Sequence, residues 1–299
     1  IHRHIFDGEL IKLNAGGGVI DISKNHSVYA PNGRLVNAGR LILGKTISLL
    51  NERPLTWKWG LKDSGEIKFI GSEELGWLYG FFSAEGSVSD GETTFYNFNK
   101  ERLLKCKRII ELNFQKKAFL GNGKNPRISL CDRRIALFFK NNFYTSQKLK
   151  RIPSFILNSN LKVKKAFLDG YNEGDGDTKS KRAKSKLNKY HSFTSNSQVL
   201  IQGLLFLVKQ TTKQSYNLYT REDKPTIIQV NFCEKEKIKI IPNKIKKIIK
   251  IRYKGNLYDL STESGKFYCG TGNILVHNTT GIYSKANPMK TIEKAWESF

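Results

Sequence analysis

What most constrains this chain is a pair of helical strips that are almost bare of side chains, each ending in an acid. Around Phe167-Leu168-Asp169-Gly170-Tyr171-Asn172-Glu173-Gly174-Asp175, the residues Val163, Ala166, Phe167, Gly170, Tyr171 and Gly174 fall at i, i+3, i+4, i+7, i+8 and i+11. That is the spacing of one buried helical face. Within it Ala166, Gly170 and Gly174 recur every four residues, so a neighbouring backbone can pack very close, and Asp175 stands at the end of the strip. The design occurs once more: Gly76, Gly80 and Ala84 are four apart and Glu85 follows. Packed strip against strip, the two helices bring Glu85 and Asp175 together. Two carboxylates so placed need a cation between them, or one must keep its proton. Mg2+ shared with substrate phosphate is the usual occupant of such an oxygen-rich site.

Both stretches resemble the paired LAGLIDADG motifs of homing endonucleases, which cut long DNA sites with two acids and bound metal ions. The resemblance implies an α+β fold with two halves, each written αββαββα, whose strands form a saddle on DNA. It implies catalytic and Mg2+-binding roles for Glu85 and Asp175. A duplicated single chain suits a long, nearly two-fold site, so a monomer is expected. The two halves are expected over about 69–150 and 151–243. A lysine near the metals often assists in this family; Lys235 is the candidate, with Arg134 in the other half.

Charge points the same way. The chain has 299 residues, enough for two domains, and its 51 Lys and Arg against 26 Asp and Glu give a net charge of +25. Such an excess on a globular composition implies a polyanionic partner, nucleic acid first. Between Asn141 and Tyr190 there are twelve basic residues and four acids, Asp169, Glu173, Asp175 and Asp177, all inside the second motif taken as Phe167–Asp177. Lys179, Lys181, Arg182, Lys184 and Lys186 form a run suited to phosphate contacts. The four cysteines have no CxxC spacing, so neither a zinc site nor a disulfide framework is expected, and a cytoplasmic setting fits. Apolar runs are too short to span a bilayer, and no signal peptide is read.

Residues 1–66 read as short strands and turns. Asp90-Gly91 splits a hairpin whose second strand, Thr93 to Asn99, alternates polar and aromatic residues. Thr93, Asn97 and Asn99 are its candidates for reading base edges in the major groove. Helices follow over Lys100–Leu112 and Asp132–Asn141, with a strand at Arg127–Cys131 between them. After the second motif, Tyr190–Ser195 and Thr226–Cys233 read as strands and Gln198–Lys209 as a helix. From Lys244 the pattern returns to β, with Ile245–Tyr253 and Asn256–Leu260 flanking a Lys254-Gly255 turn.

A second chemistry is written at Val276-His277-Asn278-Thr279. An Asn side-chain amide can attack its own main-chain carbonyl, close a succinimide and break the bond to the next residue. His277 is placed to protonate the leaving group, and Thr279 has a hydroxyl able to accept an acyl group first. With Tyr258-Asp259-Leu260-Ser261 upstream, this stretch resembles the C-terminal splicing blocks of inteins. Ser23-Lys24-Asn25-His26 resembles the intein block written Thr-x-x-His. Inteins often carry a LAGLIDADG endonuclease between those blocks, the order seen here.

The likeness implies that a mostly-β Hint splicing domain, residues 1–68 and 244–278, is interrupted by an endonuclease at 69–243. His26 would activate the upstream junction and Asp259 would assist acyl transfer. His277 and Asn278 would perform C-terminal cleavage, with Thr279 the first residue beyond; no cofactor is implied for splicing. Residues 279–299 resemble the active-site segment of archaeal-type family B DNA polymerases, with Thr280 where a metal-binding Asp is expected. The implied partners are double-stranded DNA, an N-terminal intein segment and the flanking host polymerase. Two departures stand out: the upstream nucleophile block is missing before Ile1, and Gly265 or Lys266 stands where a His is common. The chain is therefore expected to be part of a longer product and, as it stands, unable to complete splicing. The alternative is a LAGLIDADG maturase that binds RNA without cutting, or a decayed insert; His277-Asn278-Thr279 argues against the first.

Overall fold

A computed structural model describes residues 1–49, 71–176, 190–212, 214–233 and 243–278. In chain order it begins with strands β1 (His2–Asn14), β2 (Val19–Ser23), β3 (Ser27–Tyr29) and β4 (Leu35–Asn37). Helix α1 (Glu73–Glu85), β5 (Gly86–Ser89), β6 (Glu92–Tyr96), α2 (Lys100–Phe114), β7 (Phe119–Gly121), β8 (Arg127–Cys131) and α3 (Arg133–Phe143) follow. Next come α4 (Ser154–Leu157), α5 (Leu161–Asp175), β9 (Ser192–Ser195), α6 (Gln198–Thr211), β10 (Ser215–Thr220) and β11 (Ile228–Cys233). The described chain closes with β12 (Lys247–Asp259), β13 (Lys266–Cys269) and β14 (Ile274–His277).

The chain divides into two compact units. Ile1–Glu52, Tyr216–Asn231 and Lys237–Phe299 form one, and Arg53–Ser215 with Phe232–Glu236 the other. Tyr216–Asn231, which the sequence assigns to the second endonuclease half, thus groups with the N- and C-terminal segments.

The described elements of the first unit are almost all strands. Its sheets run β12-β1-β2 and β13-β14-β3-β4. Ile11, Leu13, Ile20, Ile22, Val28, Ile47, Ile245, Ile274 and Val276 close its core. The Lys254-Gly255 turn expected from the sequence is absent. Instead β12 is continuous and pairs with β1 residue for residue, from His2 opposite Asp259 to Asn14 opposite Lys247. The glycines serve aromatic rings rather than a bend. Gly255 lies opposite Phe6 and Gly8 opposite Tyr253, and a Cβ on Gly8 would stand 2.8 Å from the Phe6 ring. A Cβ on Gly255 would likewise stand 2.7 Å from the Tyr253 hydroxyl. Each ring covers a glycine two residues away on its own strand, a known device for pinning strand register.

In the second unit the order α1-β5-β6-α2-β7-β8-α3 reproduces αββαββα, and its strands form one antiparallel sheet, β5-β6-β8-β7. After α5, residues 177–189 lie outside the description; β9 and α6 then continue the second half in the expected order. Helix α1 opens with Ser72, whose hydroxyl accepts the Leu75 N–H at 3.1 Å, and Glu73 and Glu74 favour its positive end. Asn160 caps α5 in the same way, accepting from the Lys162 and Val163 N–H groups at 3.0 Å. Both α1 and α5 stop at a glycine in extended backbone, Gly86 and Gly176. Tyr79 and Phe82 of α1 pack against Phe95, Phe139 and Phe143 in the core, mostly edge to face.

The two bare strips meet face to face. A Cβ built on Gly80 would lie 1.8 Å from the Phe167 carbonyl oxygen, and one on Gly170 would lie 2.0 Å from that of Trp77. Ala84 and Gly174 make the last step of the crossing, at 2.5 Å by the same measure. In an exposed helix a Gly→Ala change stabilises by about 1 kcal/mol. Here the methyl meets backbone that cannot give way, so Gly170→Ala is expected to destabilise by about 3 kcal/mol. Denaturant unfolding checks this; a midpoint unchanged or raised would mean that the helices do not meet as described.

Candidate functional site

The helix crossing places the two sequence-expected acids together. Glu85 is the last residue of α1 and Asp175 the last of α5. A Cβ on Gly174 would stand 3.0 Å from the Glu85 Cγ, so the absence of side chains on the strip is what lets the carboxylates approach. Burial raises the Glu85 pKa, and the Asp175 charge raises it further. Burial also raises that of Asp175, against a hydrogen bond from the Tyr171 hydroxyl to its Oδ2 at 3.3 Å. Glu85 is partly buried and Asp175 exposed; two neighbouring carboxylates of raised pKa could share a cation.

Hard oxygen donors of this kind fit Mg2+, which takes one or two carboxylates and completes its shell with water and phosphate. Among the described residues no group of three or more His, Cys, Asp or Glu side chains comes together. The pair is therefore the whole of the acidic contribution seen there. Asn172 Oδ1 is buried without a partner one turn before Asp175, a further unused oxygen near the end of α5.

A lysine beside the acids is the residue that sequence reasoning missed. Lys150 Nζ donates to the Phe82 and Gly86 carbonyl oxygens, at 2.6 and 2.7 Å, and lies 4.0 Å above the Phe82 ring. It thereby fills the C-terminal end of α1. Burial pushes its pKa down to about 7, while Glu85 pulls the other way. In the sequence it is one base in a basic run, Lys148, Lys150 and Arg151, and nothing there distinguishes it. Of the expected candidates, Arg134 is exposed in the first turn of α3, and Lys235 lies outside the described residues.

This burial has a pH signature. The unfolded chain keeps the Lys150 proton up to a pKa of about 10.4, but the folded chain gives it up near 7. The unfolded state thus binds more protons between those values, and stability rises with pH there. In EDTA, Lys150→Met is expected to flatten the rise of unfolding free energy between pH 7 and 9, a slope of up to about 1.4 kcal/mol per unit. Equal slopes in both proteins would overturn the assignment.

The base-reading expectation is corrected in part. Thr93 is fully buried with Phe95 on the inner side of β6, so its hydroxyl is not offered to a groove. Strand β6 ends at Tyr96. Asn97 and Asn99 are then used locally: Asn97 Oδ1 accepts the Asn99 N–H at 2.9 Å, and Asn99 caps α2 by accepting from Arg102 N–H at 3.2 Å. Asn is a strong capping residue, and capping wins once the strand has ended. Lys179, Lys181, Arg182, Lys184 and Lys186 lie outside the described residues.

The first unit gathers the other expected set. Strand β14 lies between β13 and β3, with Val276 opposite Val28 and His277 opposite Lys266. His26, just before β3, bonds the His277 main chain and feels the Asp259 charge; burial nevertheless lowers its pKa. Asp259 is buried at the end of β12, and its charge also helps burial raise the Cys269 thiol to about 12. His277 Nδ1 bonds the Asn278 carbonyl oxygen. A carbonyl only accepts, so that nitrogen bears the proton and faces the oxygen on which charge develops if the carbonyl is attacked. Thr279 lies outside the described residues.

No family model matches the chain. It is 27% identical over 301 residues to a DNA polymerase of Acanthamoeba polyphaga mimivirus, an alignment covering 94% of this chain. It is 25% identical over 293 residues, covering 75% of this chain, to a DNA polymerase of Thermococcus aggregans. The chain spans only 16% and 15% of the length of these curated relatives. Among solved structures, the homing endonuclease I-DmoI in complex with DNA and Mn superposes with a TM-score of 0.39 at 12% identity, covering 54% of this chain and 89% of that one. A superposition that loose says nothing about the chemistry of this chain.

Proposed function

We propose, taking the chain as the intein-type LAGLIDADG endonuclease that its glycine-lined helix pair and its likeness to DNA polymerases make it, that it cuts double-stranded DNA at a specific site. The carrying observation is the helix crossing that sets Glu85 against Gly174 and so beside Asp175. Glu85 and Asp175 would hold Mg2+, with Lys150 at the end of α1 as the neighbouring base. A bound divalent ion supplies Lewis-acid stabilisation of charge on the scissile phosphate. The chain's own part is to bring two carboxylates together, exclude side chains between them, and keep at Lys150 Nζ an amine that exchanges a proton near neutral pH. The basic run from Lys179 to Lys186 would contact backbone phosphates.

In the same reading, residues 1–68 and 244–278 form a Hint-type splicing fold around the endonuclease at 69–243, and 279–299 belong to the host polymerase. Asn278 Nδ2 would attack its own carbonyl carbon while His277 Nδ1–H holds the carbonyl oxygen. The chain would act as a cytoplasmic monomer on DNA, with an N-terminal segment completing the splicing machinery.

The test of cutting is direct. A plasmid carrying the uninterrupted polymerase segment is incubated with the chain in Mg2+ and then in EDTA. Metal-dependent linearisation at one place is expected. Tight, salt-sensitive binding without cutting would overturn the endonuclease reading in favour of a nucleic-acid-binding or decayed protein.

A further inference from the structure

Asn278 is held by a residue that the splicing blocks do not single out. Its Nδ2 donates to the Thr262 carbonyl oxygen at 3.1 Å, and its Oδ1 lies 3.3 Å from the Thr262 hydroxyl. Its backbone N–H donates to the Gly265 carbonyl at 3.0 Å. Gly265 contributes main chain alone, in left-handed backbone (φ 70°) that closes the Thr262–Gly265 turn. Thr262 is itself fixed, because its Oγ1 accepts the Lys266 N–H at 3.1 Å.

One hydroxyl has one proton, and two acceptors compete for it: the Lys266 carbonyl at 2.9 Å and Asn278 Oδ1. The Ser264 hydroxyl also reaches the Lys266 carbonyl, at 3.1 Å. With Ser264 serving that oxygen, the Thr262 proton is free for Asn278. The Asn278 carboxamide is then gripped at both ends by a single residue, with its nitrogen facing an acceptor and its oxygen a donor.

We propose that Thr262 is the positioning residue for Asn278 cyclisation, acting through its carbonyl and hydroxyl together. The inference rests on the cleavage reading above. In the step, a bond forms between Asn278 Nδ2 and the Asn278 carbonyl carbon, and the bond from that carbon to the Thr279 nitrogen breaks. Nδ2 loses one proton and the departing amine gains one, so no water or co-reactant is consumed. The carbonyl of Thr262 draws on the Nδ2–H that must leave. Its hydroxyl, donating to Oδ1, stabilises the negative charge that develops on the carboxamide as Nδ2 gives up its proton, so the nucleophilic form is easier to reach.

The test follows release of residues 279–299 from the full chain by intact mass at neutral pH. Wild type, Thr262→Val, Thr262→Ser and an Asn278→Ala blank are compared, each with its denaturation midpoint. Val keeps the shape and removes the hydroxyl, and about tenfold slower release is expected, in line with loss of one hydrogen bond in a constrained site. Ser restores the hydroxyl, and release within about twofold of wild type is expected, because the same donor is present. A merely structural role would give no rescue of this kind at equal midpoints. If Val lowers the midpoint, Thr262→Cys, whose thiol is a weak donor, is read in its place and is expected at the slow rate. Release from the wild type with Val and Cys equally fast, or faster, overturns the role of Thr262 and leaves the cleavage reading intact. No Asn278-dependent release from the wild type overturns both.

Discussion

Glu85→Gln and Asp175→Asn are each expected to abolish DNA cutting while leaving binding within a few-fold of wild type. Both changes are nearly isosteric and sit at the ends of α1 and α5, so the helix crossing has no reason to change. On the proposed reading, each removes one of the two charges that would hold a divalent cation. Loss of Lewis-acid stabilisation worth several kcal/mol corresponds to about a thousand-fold or more in rate. Stability should move the other way. The pKa of each carboxylate is raised by burial, and that of Glu85 also by the Asp175 charge. In EDTA, then, neutralising one acid relieves a cost, and neither variant should melt below the wild type. Plasmid linearisation, electrophoretic binding and thermal unfolding on the same preparations separate these effects. Cutting at the normal rate by either variant would remove the proposed metal site, and a large loss of stability would recast the acids as packing residues.

The second large effect is in the other unit. Asn278→Ala is expected to reduce release of residues 279–299 below detection, because alanine has no nucleophile to close the ring. EDTA should not change the wild-type rate, which separates this chemistry from the endonuclease. His277→Ala is expected to slow release without abolishing it. The Nδ1–H on the Asn278 carbonyl oxygen stabilises developing charge, and removing one such donor costs about 100- to 1,000-fold. Release from Asn278→Ala at the wild-type rate would assign the scission to ordinary proteolysis.

Several structural features were legible because they rest on local periodicity. The four-residue recurrence of Gly76, Gly80 and Ala84, and of Ala166, Gly170 and Gly174, has one sensible use, close helix contact, and the helices do meet there. The strand Arg127–Cys131 appears with the expected bounds, and Asp132, read as the start of the next helix, is its N-cap. Other readings failed where side chains answer to distant partners. Gly255 looks like a turn residue, yet it sits in a continuous strand because β1 supplies a partner for the whole of β12. Thr93 looks like a groove-facing residue, yet the pleat turns it inward with Phe95.

By itself the sequence determined the two acids, the bare strips that let them meet, and the His-Asn end of β14. These depend on residue type at fixed spacing, and backbone geometry makes that spacing binding. Only the tertiary structure decided which groups surround them. Lys150 feels the Glu85 charge because the chain after α3 returns to the end of α1, where the Phe82 and Gly86 carbonyls and the Phe82 ring fix the amine. Thr262 reaches Asn278 because a tight turn sets its carbonyl and hydroxyl against the carboxamide. Neither pairing leaves a periodic trace, since burial and hydrogen bonding between distant segments are set by how the chain closes on itself.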